Sequence, residues 1–115
     1  MNYVNLTPDP IDIYAEDEKT LLMSIPPSGV VARLRELVQY QTTMDRIPFY
    51  KVTLADVDNL PERGLTDTFY ILSLPLLMGM TGTLYPARPD CMYPHGQIRD
   101  KSGRIIGYTS LARLA

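Results

Sequence analysis

The sequence predicts an α+β fold: a single small domain with a mainly antiparallel sheet of five to six strands and one short buried helix. At 115 residues and 45% hydrophobic content, residues 1–115 fit one compact domain. Several short segments alternate apolar with polar residues between proline-rich and glycine-rich turns, which is typical of strands joined by hairpins. One long apolar run, Thr66–Met80, is too apolar for a surface and predicts the centre of the core.

This apolar run predicts a strand followed by a helix. Phe69–Leu72 is continuous, aromatic and β-branched, as in a strand buried on both faces. Ser73 is suited to cap a helix, and Pro75 fits the first turn, where its missing N–H costs nothing. A short buried helix should then end near Gly79 or Gly82.

Before this run, alternation predicts four strands: Tyr3–Leu6, Ile11–Tyr14, Leu21–Ile25 and Ile47–Leu54. The first three suggest a β-meander or a hairpin that opens the domain. Val30–Gln41 admits two interpretations. It is either an amphipathic helix or a strand from Val30 to about Arg35, and the leading β-branched pair favours the strand. The polar Gln39–Arg46 should be a loop, and Asp56–Gly64 a turn into the apolar run.

After the run, Tyr85–Gly96 carries three prolines and predicts a rigid irregular loop, of a length that is often functional in small domains. Gln97–Arg99 and Arg104–Ile106 flank Asp100-Lys-Ser-Gly103. Aspartate at the first turn position and glycine at the position needing positive φ predict a type I turn with a G1 bulge. Tyr108–Leu114 should continue as a strand or fray.

Composition excludes several classes of protein. The net charge of −2 argues against a protein built for nucleic acid. A single cysteine allows no intrachain disulfide and no four-cysteine zinc site, so we expect a reducing compartment and no structural metal. Because Ser73, Pro75 and Gly79 interrupt the best candidate for a membrane span and no signal peptide is visible, we expect a cytoplasmic protein. We expect no cofactor, because no nucleotide fingerprint is present.

Cys91, His95 and the adjacent Asp90 form the one cluster that resembles a nucleophilic or metal site. A thiolate near a histidine can attack a carbonyl group. A metal would need three or four ligands, and a catalytic thiol would need a positioned base. A loop cysteine beside an exposed histidine is the simpler interpretation, so the sequence favours binding over catalysis.

Arginines and a tight bend suggest an anion site instead. Ser28 and Gly29 can expose backbone N–H groups, with Arg33 nearby, and Arg99 and Arg104 flank the last turn. Arginine presents a planar fork of donors that suits a phosphate or carboxylate. The simpler alternatives are a structural bend between strands and the solvated face of a hairpin.

Three motifs resemble those of a known family: Val4-Asn-Leu-Thr-Pro-Asp-Pro-Ile11, Ile25-Pro-Pro-Ser-Gly-Val-Val-Ala-Arg33 and Ile98-Arg-Asp-Lys-Ser-Gly-Arg-Ile-Ile-Gly107. The chain resembles small uncharacterised proteins encoded by bacteriophages, prophages and some bacterial genomes. Proteins of that family usually have histidine where this chain has Asp9, so no role of that histidine carries over to this chain. The resemblance implies a phage or mobile-element origin and brings no established activity.

Three functions follow as hypotheses. The preferred one is a non-catalytic phage or prophage accessory protein in the host cytoplasm. It would bind a host protein or an anionic small molecule such as a nucleotide signal, with an anti-defence role. The first alternative is an oligomeric structural or interaction module that associates through an exposed strand edge. The second alternative is a hydrolase that uses Cys91 and His95.

Overall fold

A computed structural model describes residues 1–63, 67–80 and 88–114, and for residues 54 and 55 the backbone only. Within these ranges lie eight strands and one helix: β1 (Asn2–Asn5), β2 (Ile11–Tyr14), β3 (Leu21–Ile25), β4 (Arg33–Met44), β5 (Ile47–Asp58), β6 (Thr68–Ile71), α1 (Leu74–Met80), β7 (Cys91–Arg99) and β8 (Ile105–Ala112). The predicted small, mostly β architecture with one short buried helix is confirmed.

Six strands form one mixed sheet in the order β1-β6-β7-β8-β2-β3. The prediction of a mainly antiparallel sheet is wrong, because the pairs β1–β6, β6–β7 and β2–β8 are parallel. Within this sheet, the pairs β2–β3 and β7–β8 are antiparallel hairpins. Strands that follow one another in sequence are therefore often not neighbours in space, and alternation along a strand cannot indicate its partner.

The two edge strands of this sheet meet at Asn5, so the sheet curls towards closure. The Asn5 carbonyl accepts the backbone N–H of Ser28 at 2.9 Å, and Asn5 forms a parallel bridge with Pro27, two residues after β3. Its side-chain amide donates to the Ile25 carbonyl at 3.2 Å. Since backbone groups at a sheet edge otherwise need solvent, this contact satisfies both edges at one level of the sheet.

Strand β6 divides the core into two clusters, as the apolar run predicted. Ile71 packs with Ile11, Ile13 and Ile25 on one face and is fully buried. Leu72, also fully buried, packs on the other face. The cluster around Leu72 consists of Leu6, Ala32, Val57, Leu76, Leu77, Met80 and Cys91. Burial on both faces of the predicted segment is thus confirmed at Ile71 and at Leu72, the residue after β6, whereas Phe69 and Tyr70 are half-buried.

Helix α1 begins as predicted. The Leu77 N–H donates to the Ser73 carbonyl at 3.1 Å, which makes Ser73 the N-cap and places Pro75 in the first turn. The helix ends at Met80, next to the predicted Gly79, and Gly82 lies outside the described residues. No helix within residues 1–63, 67–80 and 88–114 is long and apolar enough to cross a membrane.

Strands β4 and β5 form a separate two-stranded hairpin, the longest element of the molecule. The strand interpretation of the segment after Val30 is confirmed in type, although the strand begins at Arg33. The predicted loop Gln39–Arg46 is wrong, because β4 continues to Met44. The prediction of a turn from Asp56 is also wrong for its first residues, which end β5.

The predicted irregular loop Tyr85–Gly96 is wrong for its last six residues, because β7 begins at Cys91. Tyr85–Ala87 lie outside the described residues. The terminal hairpin is confirmed: Gly103 has φ +87° and its N–H donates to the Asp100 carbonyl at 3.0 Å. The Asp100 N–H donates to the Arg104 carbonyl at 2.9 Å, which places the predicted bulge at Gly103. A second register shift lies between Ile98 and Arg99, and β8 extends to Ala112.

Candidate binding groove

A groove opens where strand β6 ends. The last residue of β6, Ile71, pairs with Met92 of β7, but β7 continues seven residues further, to Arg99. The chain after β6 turns away into α1, and the connection from β1 to β2 passes opposite. Loops that follow the carboxyl ends of parallel strands, and the mouths of curled sheets, are common places for ligand sites.

The groove has a volume of about 800 Å³, within the range of small-molecule sites. Its walls come from four separate stretches of chain: Thr7–Ile11, Ser73–Pro75, Tyr93–Gln97 and Tyr108. Prolines at four lining positions restrict the backbone of these walls, since proline fixes φ. The groove is therefore lined by rigid chain, which limits the conformational entropy that ligand binding would cost.

Strand β7 forms the aromatic wall of the groove. Tyr93 and His95 are two residues apart on the strand, so their side chains share one face. Their rings meet edge to face, with centroids 6.0 Å apart and an interplanar angle of 83°. With Tyr108 of β8, they give the groove three aromatic side chains that can pack against a planar ligand.

Pro94 is compatible with this strand because of where β6 stops. The carbonyls of Asp90 and Met92 accept the N–H groups of Tyr70 and Leu72, so these residues direct their backbone polar groups towards β6. Because backbone polar groups point to the same side at every second residue of a strand, those of Pro94 also point towards the β6 side. However, β6 has already ended at that level of the sheet. A missing N–H at Pro94 consequently removes no hydrogen bond from the ladder.

His95 is held by Ser110 on the neighbouring strand. The Ser110 hydroxyl lies 3.2 Å from the His95 carbonyl oxygen, to which it donates, and 3.1 Å from His95 Nδ1. Both contacts are made together in the tautomer that carries its proton on Nδ1, and in that tautomer Nε2 is a hydrogen-bond acceptor.

The opposite wall, Thr7–Ile11, is positioned by the buried side chain of Asn5. Its Oδ1 accepts the Thr7 N–H at 2.9 Å and the Thr7 hydroxyl at 2.6 Å. Its Nδ2 donates to the Asp9 carbonyl at 2.8 Å. The carboxylate of Asp9 is the one charged side chain among the lining residues that the structure describes. It can accept hydrogen bonds from a ligand's amino or imino groups.

Of the five residues predicted to bind an anion, Arg99 is the one connected to the groove. Its Nη2 donates to Oε1 of the lining residue Gln97 at 2.9 Å, and its Nη1 donates to the Gly103 carbonyl at 2.7 Å. Arg104 is exposed at the other end of the same turn. The Asp100 carboxylate holds this turn by accepting from the Ser102 hydroxyl and from the N–H groups of Arg104 and Ser102, and these bonds lower the pKa of Asp100.

The other three predicted residues do not line the groove. Ser28 and Gly29 belong to the bend after β3, where the Ser28 hydroxyl donates to the Val30 carbonyl at 3.1 Å. Arg33 begins β4 and lies opposite Asp58 in the hairpin. The bend at Ser28 and Gly29 is therefore separate from the groove, to which Arg99 is linked.

Cys91 and His95 do not form a catalytic pair. Four residues separate them along β7, or about 13 Å at the rise of a strand. Cys91 is buried in the core, contrary to the predicted loop cysteine, whereas His95 is exposed as expected. Burial raises the pKa of the Cys91 thiol to about 11, so the thiolate is scarce at neutral pH.

The described residues contain no group of three or more histidine, cysteine, aspartate or glutamate side chains that could hold a metal ion. No protein-family model, curated protein or solved structure gives a significant match to this chain. The resemblance to phage-encoded proteins remains a prediction from the three motifs quoted above.

Proposed function

We propose that the protein is a non-catalytic binding protein that takes a nucleotide-like small molecule in the groove, with the ring inside and the phosphate at the Arg99 rim. The observation that carries the proposal is the juxtaposition of an aromatic, uncharged wall with an arginine one hydrogen bond away from it. An accessory role in a phage or prophage, with action against a host defence, is a further proposal that depends on the resemblance alone.

The groove favours a planar ring with polar edges. Stacking of a base on an aromatic side chain is worth about 1–3 kcal/mol, and Tyr93, His95 and Tyr108 provide three such surfaces. Acceptors for ring N–H groups are available at the Asp9 carboxylate and, in the tautomer of His95 protonated on Nδ1, at its Nε2. This combination suits a nucleobase better than a purely aliphatic ligand.

The anionic part of the ligand is best placed at the rim rather than inside. The Asp9 carboxylate would repel a phosphate bound deep in the groove. Arg99 and Arg104 flank the turn at the end of the β7 wall, and a guanidinium pairs well with phosphate. One molecule with a base and a phosphate can therefore satisfy both regions.

The test is calorimetric titration of a panel of mononucleotides, cyclic mononucleotides and cyclic dinucleotides into the wild type and three variants. Tyr93→Ala removes a stacking surface, and Arg99→Ala removes the rim guanidinium. Each should weaken binding by about tenfold to a hundredfold, because hydrogen bonds to charged groups and stacking each contribute roughly 1–3 kcal/mol. Lys19→Ala, an exposed cation on the β2–β3 turn, is the matched control and should bind like the wild type.

Thermal melts of the same variants separate loss of the site from loss of the fold. Arg99→Ala should leave the melting temperature nearly unchanged, because Arg99 is exposed. Absence of binding by the wild type across the panel would refute the small-molecule proposal. Binding that is equal in the wild type and in Tyr93→Ala would show that the nucleotide sits elsewhere.

A further inference from the structure

Asp9 carries the one charged side chain among the described lining residues of the groove, and its backbone is held in place. Pro8 precedes it and Pro10 follows it, and proline fixes φ. The Asp9 carbonyl accepts a hydrogen bond of 2.8 Å from Nδ2 of Asn5, a residue that is 1% exposed. The carboxylate is therefore attached to a part of the wall whose backbone has little freedom.

The Asp9 carboxylate has no partner within the residues that the structure describes. No N–H or O–H group of these residues donates to it, and none of their cations pairs with it. Other aspartates hold parts of the fold. The carboxylates of Asp17 and Asp100 accept backbone N–H groups of their own turns, and that of Asp12 accepts the Ser24 hydroxyl. Both oxygens of Asp9 are therefore available to a molecule bound in the groove.

An unpaired carboxylate favours a ligand that presents two hydrogen-bond donors side by side. Its two oxygens accept and do not donate, and two parallel N–H···O bonds to them are stronger than bonds between neutral groups. A ligand that directs an acceptor at either oxygen is disfavoured, because two electron-rich atoms then face each other without a proton between them. The edge that fits Asp9 therefore has two adjacent donors and no acceptor between them.

Among the nucleobases, guanine has such an edge. Its ring N1–H group and its exocyclic amino group lie next to each other on the edge that pairs in a double helix. Adenine and cytosine have an amino group beside a ring-nitrogen acceptor on that edge, and uracil has one ring N–H between two carbonyl oxygens. Hypoxanthine lacks the second donor, and xanthine has a carbonyl oxygen in its place. A carboxylate can thus form two parallel bonds with guanine and one with the other bases.

We propose that the groove selects guanine nucleotides, because the Asp9 carboxylate accepts the N1–H and amino groups of the base while the aromatic wall packs against its ring. This inference rests on the proposed function, since it requires that the base of a nucleotide enters the groove. Aromatic side chains stack on any base and do not discriminate between them. Asp9 is therefore the residue that determines which base is bound.

Calorimetric titration of four nucleoside 5′-monophosphates into the wild type is the first test. Those of guanosine (GMP), inosine (IMP), adenosine (AMP) and xanthosine (XMP) share the ribose and the phosphate and differ in the base. IMP should bind about tenfold more weakly than GMP, which is the loss expected for one hydrogen bond to an exposed charged group. AMP and XMP should bind at least about tenfold more weakly, because each also directs an acceptor at the carboxylate.

Asp9→Asn is the second test, because it replaces one acceptor oxygen by a donor with almost no change of shape. An asparagine side chain pairs with an edge that has one donor and one acceptor side by side, as xanthine has. The variant should bind GMP about tenfold more weakly than the wild type does, and XMP about tenfold more tightly.

Asp12→Asn is the matched control. Asp12 is not a lining residue of the groove, and its Oδ1 accepts the Ser24 hydroxyl at 2.6 Å. An asparagine at position 12 retains that acceptor. This variant should therefore keep both the affinity for GMP and the order of affinities that the wild type shows.

The outcomes distinguish failure of this inference from failure of the proposed function. A wild type that binds none of the wider nucleotide panel refutes both. A wild type that binds GMP, IMP and AMP equally well keeps its nucleotide site, and the selection of guanine is refuted. Unchanged binding of GMP by Asp9→Asn would also refute the role of Asp9. Thermal melts should be the same for Asp9→Asn and the wild type, because the Asp9 side chain is exposed. The comparison of nucleotides needs the wild type alone, so it tests the inference whether or not the variant folds.

Discussion

At the scale of single residues, Asn5 has the most concentrated set of contacts. It is 1% exposed, and its side chain makes two donor and two acceptor hydrogen bonds, to Asp9, Ile25 and Thr7. One amide group therefore holds a wall of the groove and the junction of the two sheet edges. An alanine at this position could make none of these hydrogen bonds. The backbone groups of Thr7, Asp9 and Ile25 that the amide now pairs would lose their partner.

Asn5→Ala should lower the free energy of unfolding by about 3 kcal/mol, because each buried polar group left unpaired costs roughly 1–3 kcal/mol. Urea denaturation at neutral pH is the measurement. Asn2→Ala is the control, since Asn2 is an exposed asparagine of the same strand, and it should change stability by no more than about 0.5 kcal/mol. Equal, small effects of the two variants would show that Asn5 does not support the sheet junction.

The ion pair between Arg88 and Asp90 provides a second residue-scale prediction. Two parallel hydrogen bonds of 2.9 Å join them, and Arg88 also donates to the Pro61 carbonyl at 2.9 Å. The Arg88 guanidinium holds the pKa of Asp90 below its ordinary value of 3.8. The ionised pair therefore contributes stability that is complete above pH 3.8 and is lost as the pH falls through the lowered pKa.

Asp90→Asn should thus be less stable than the wild type at neutral pH by about 2 kcal/mol, and this difference should shrink as the pH falls below the ordinary aspartate pKa. Denaturation curves at a series of pH values measure it. The double variant Arg88→Gln with Asp90→Asn completes a thermodynamic cycle that isolates the pair. A difference that grows towards acid pH would contradict the assigned direction of the shift.

At the scale of elements, the sequence correctly predicted those elements whose conformation is determined by residues close together in the chain. Strand β6 and the start of α1 follow from a continuous apolar run, a capping serine and a proline in the first turn. The terminal turn follows from Asp100 and Gly103. In each case the residues that decide the conformation lie within a few positions of one another.

The β4–β5 hairpin shows where a prediction from local sequence fails. The segment 39–46 suggested a loop because it is polar, and its turn lacks the glycine that usually marks a hairpin. Asp45 and Arg46 both have positive φ, 52° and 64°, as a two-residue type I′ turn requires, but this turn normally selects asparagine and glycine. Polar residues can occupy β4 because both faces of the hairpin beyond Leu34 are exposed to water. Strand β7 was missed because Pro94 is tolerated only where its neighbour β6 has ended.

At the scale of the whole molecule, the groove could not be predicted because its walls come from four distant stretches of chain. The sequence identified Arg99 as an anion-binding candidate from residue chemistry. It gave no sign that Thr7–Ile11 would face Tyr93–Gln97, because that depends on the parallel pairing of β1 with β6 and of β6 with β7. Parallel neighbours are joined by long crossovers, and no local pattern encodes their order.

The topology also predicts that most of the β4–β5 hairpin can be removed without unfolding the rest of the molecule, because this hairpin is a sheet of its own. If residues 37–53 are replaced by Asn-Gly, which joins Glu36 to Leu54 through a two-residue turn, the anchoring residues Leu34 and Val57 remain. The removed side chains are exposed. The free energy of unfolding of the shortened protein should therefore differ from that of the wild type by no more than about 1 kcal/mol. Calorimetry of the dilute protein measures this. Nucleotide binding should match that of the wild type, because residues 37–53 do not line the groove.

A longer deletion tests the same division from the other side. Replacing residues 34–57 by Asn-Gly removes the half-buried Leu34 and the buried Val57, and leaves a cavity beside Leu72 in the core. Because truncating a buried aliphatic side chain costs about 2–5 kcal/mol, this variant should lose most of its stability. The part of the hairpin that the fold requires would then end between Leu34 and Leu37. If the shorter deletion also unfolded the protein, residues 37–53 would be needed for the stability of the rest of the molecule.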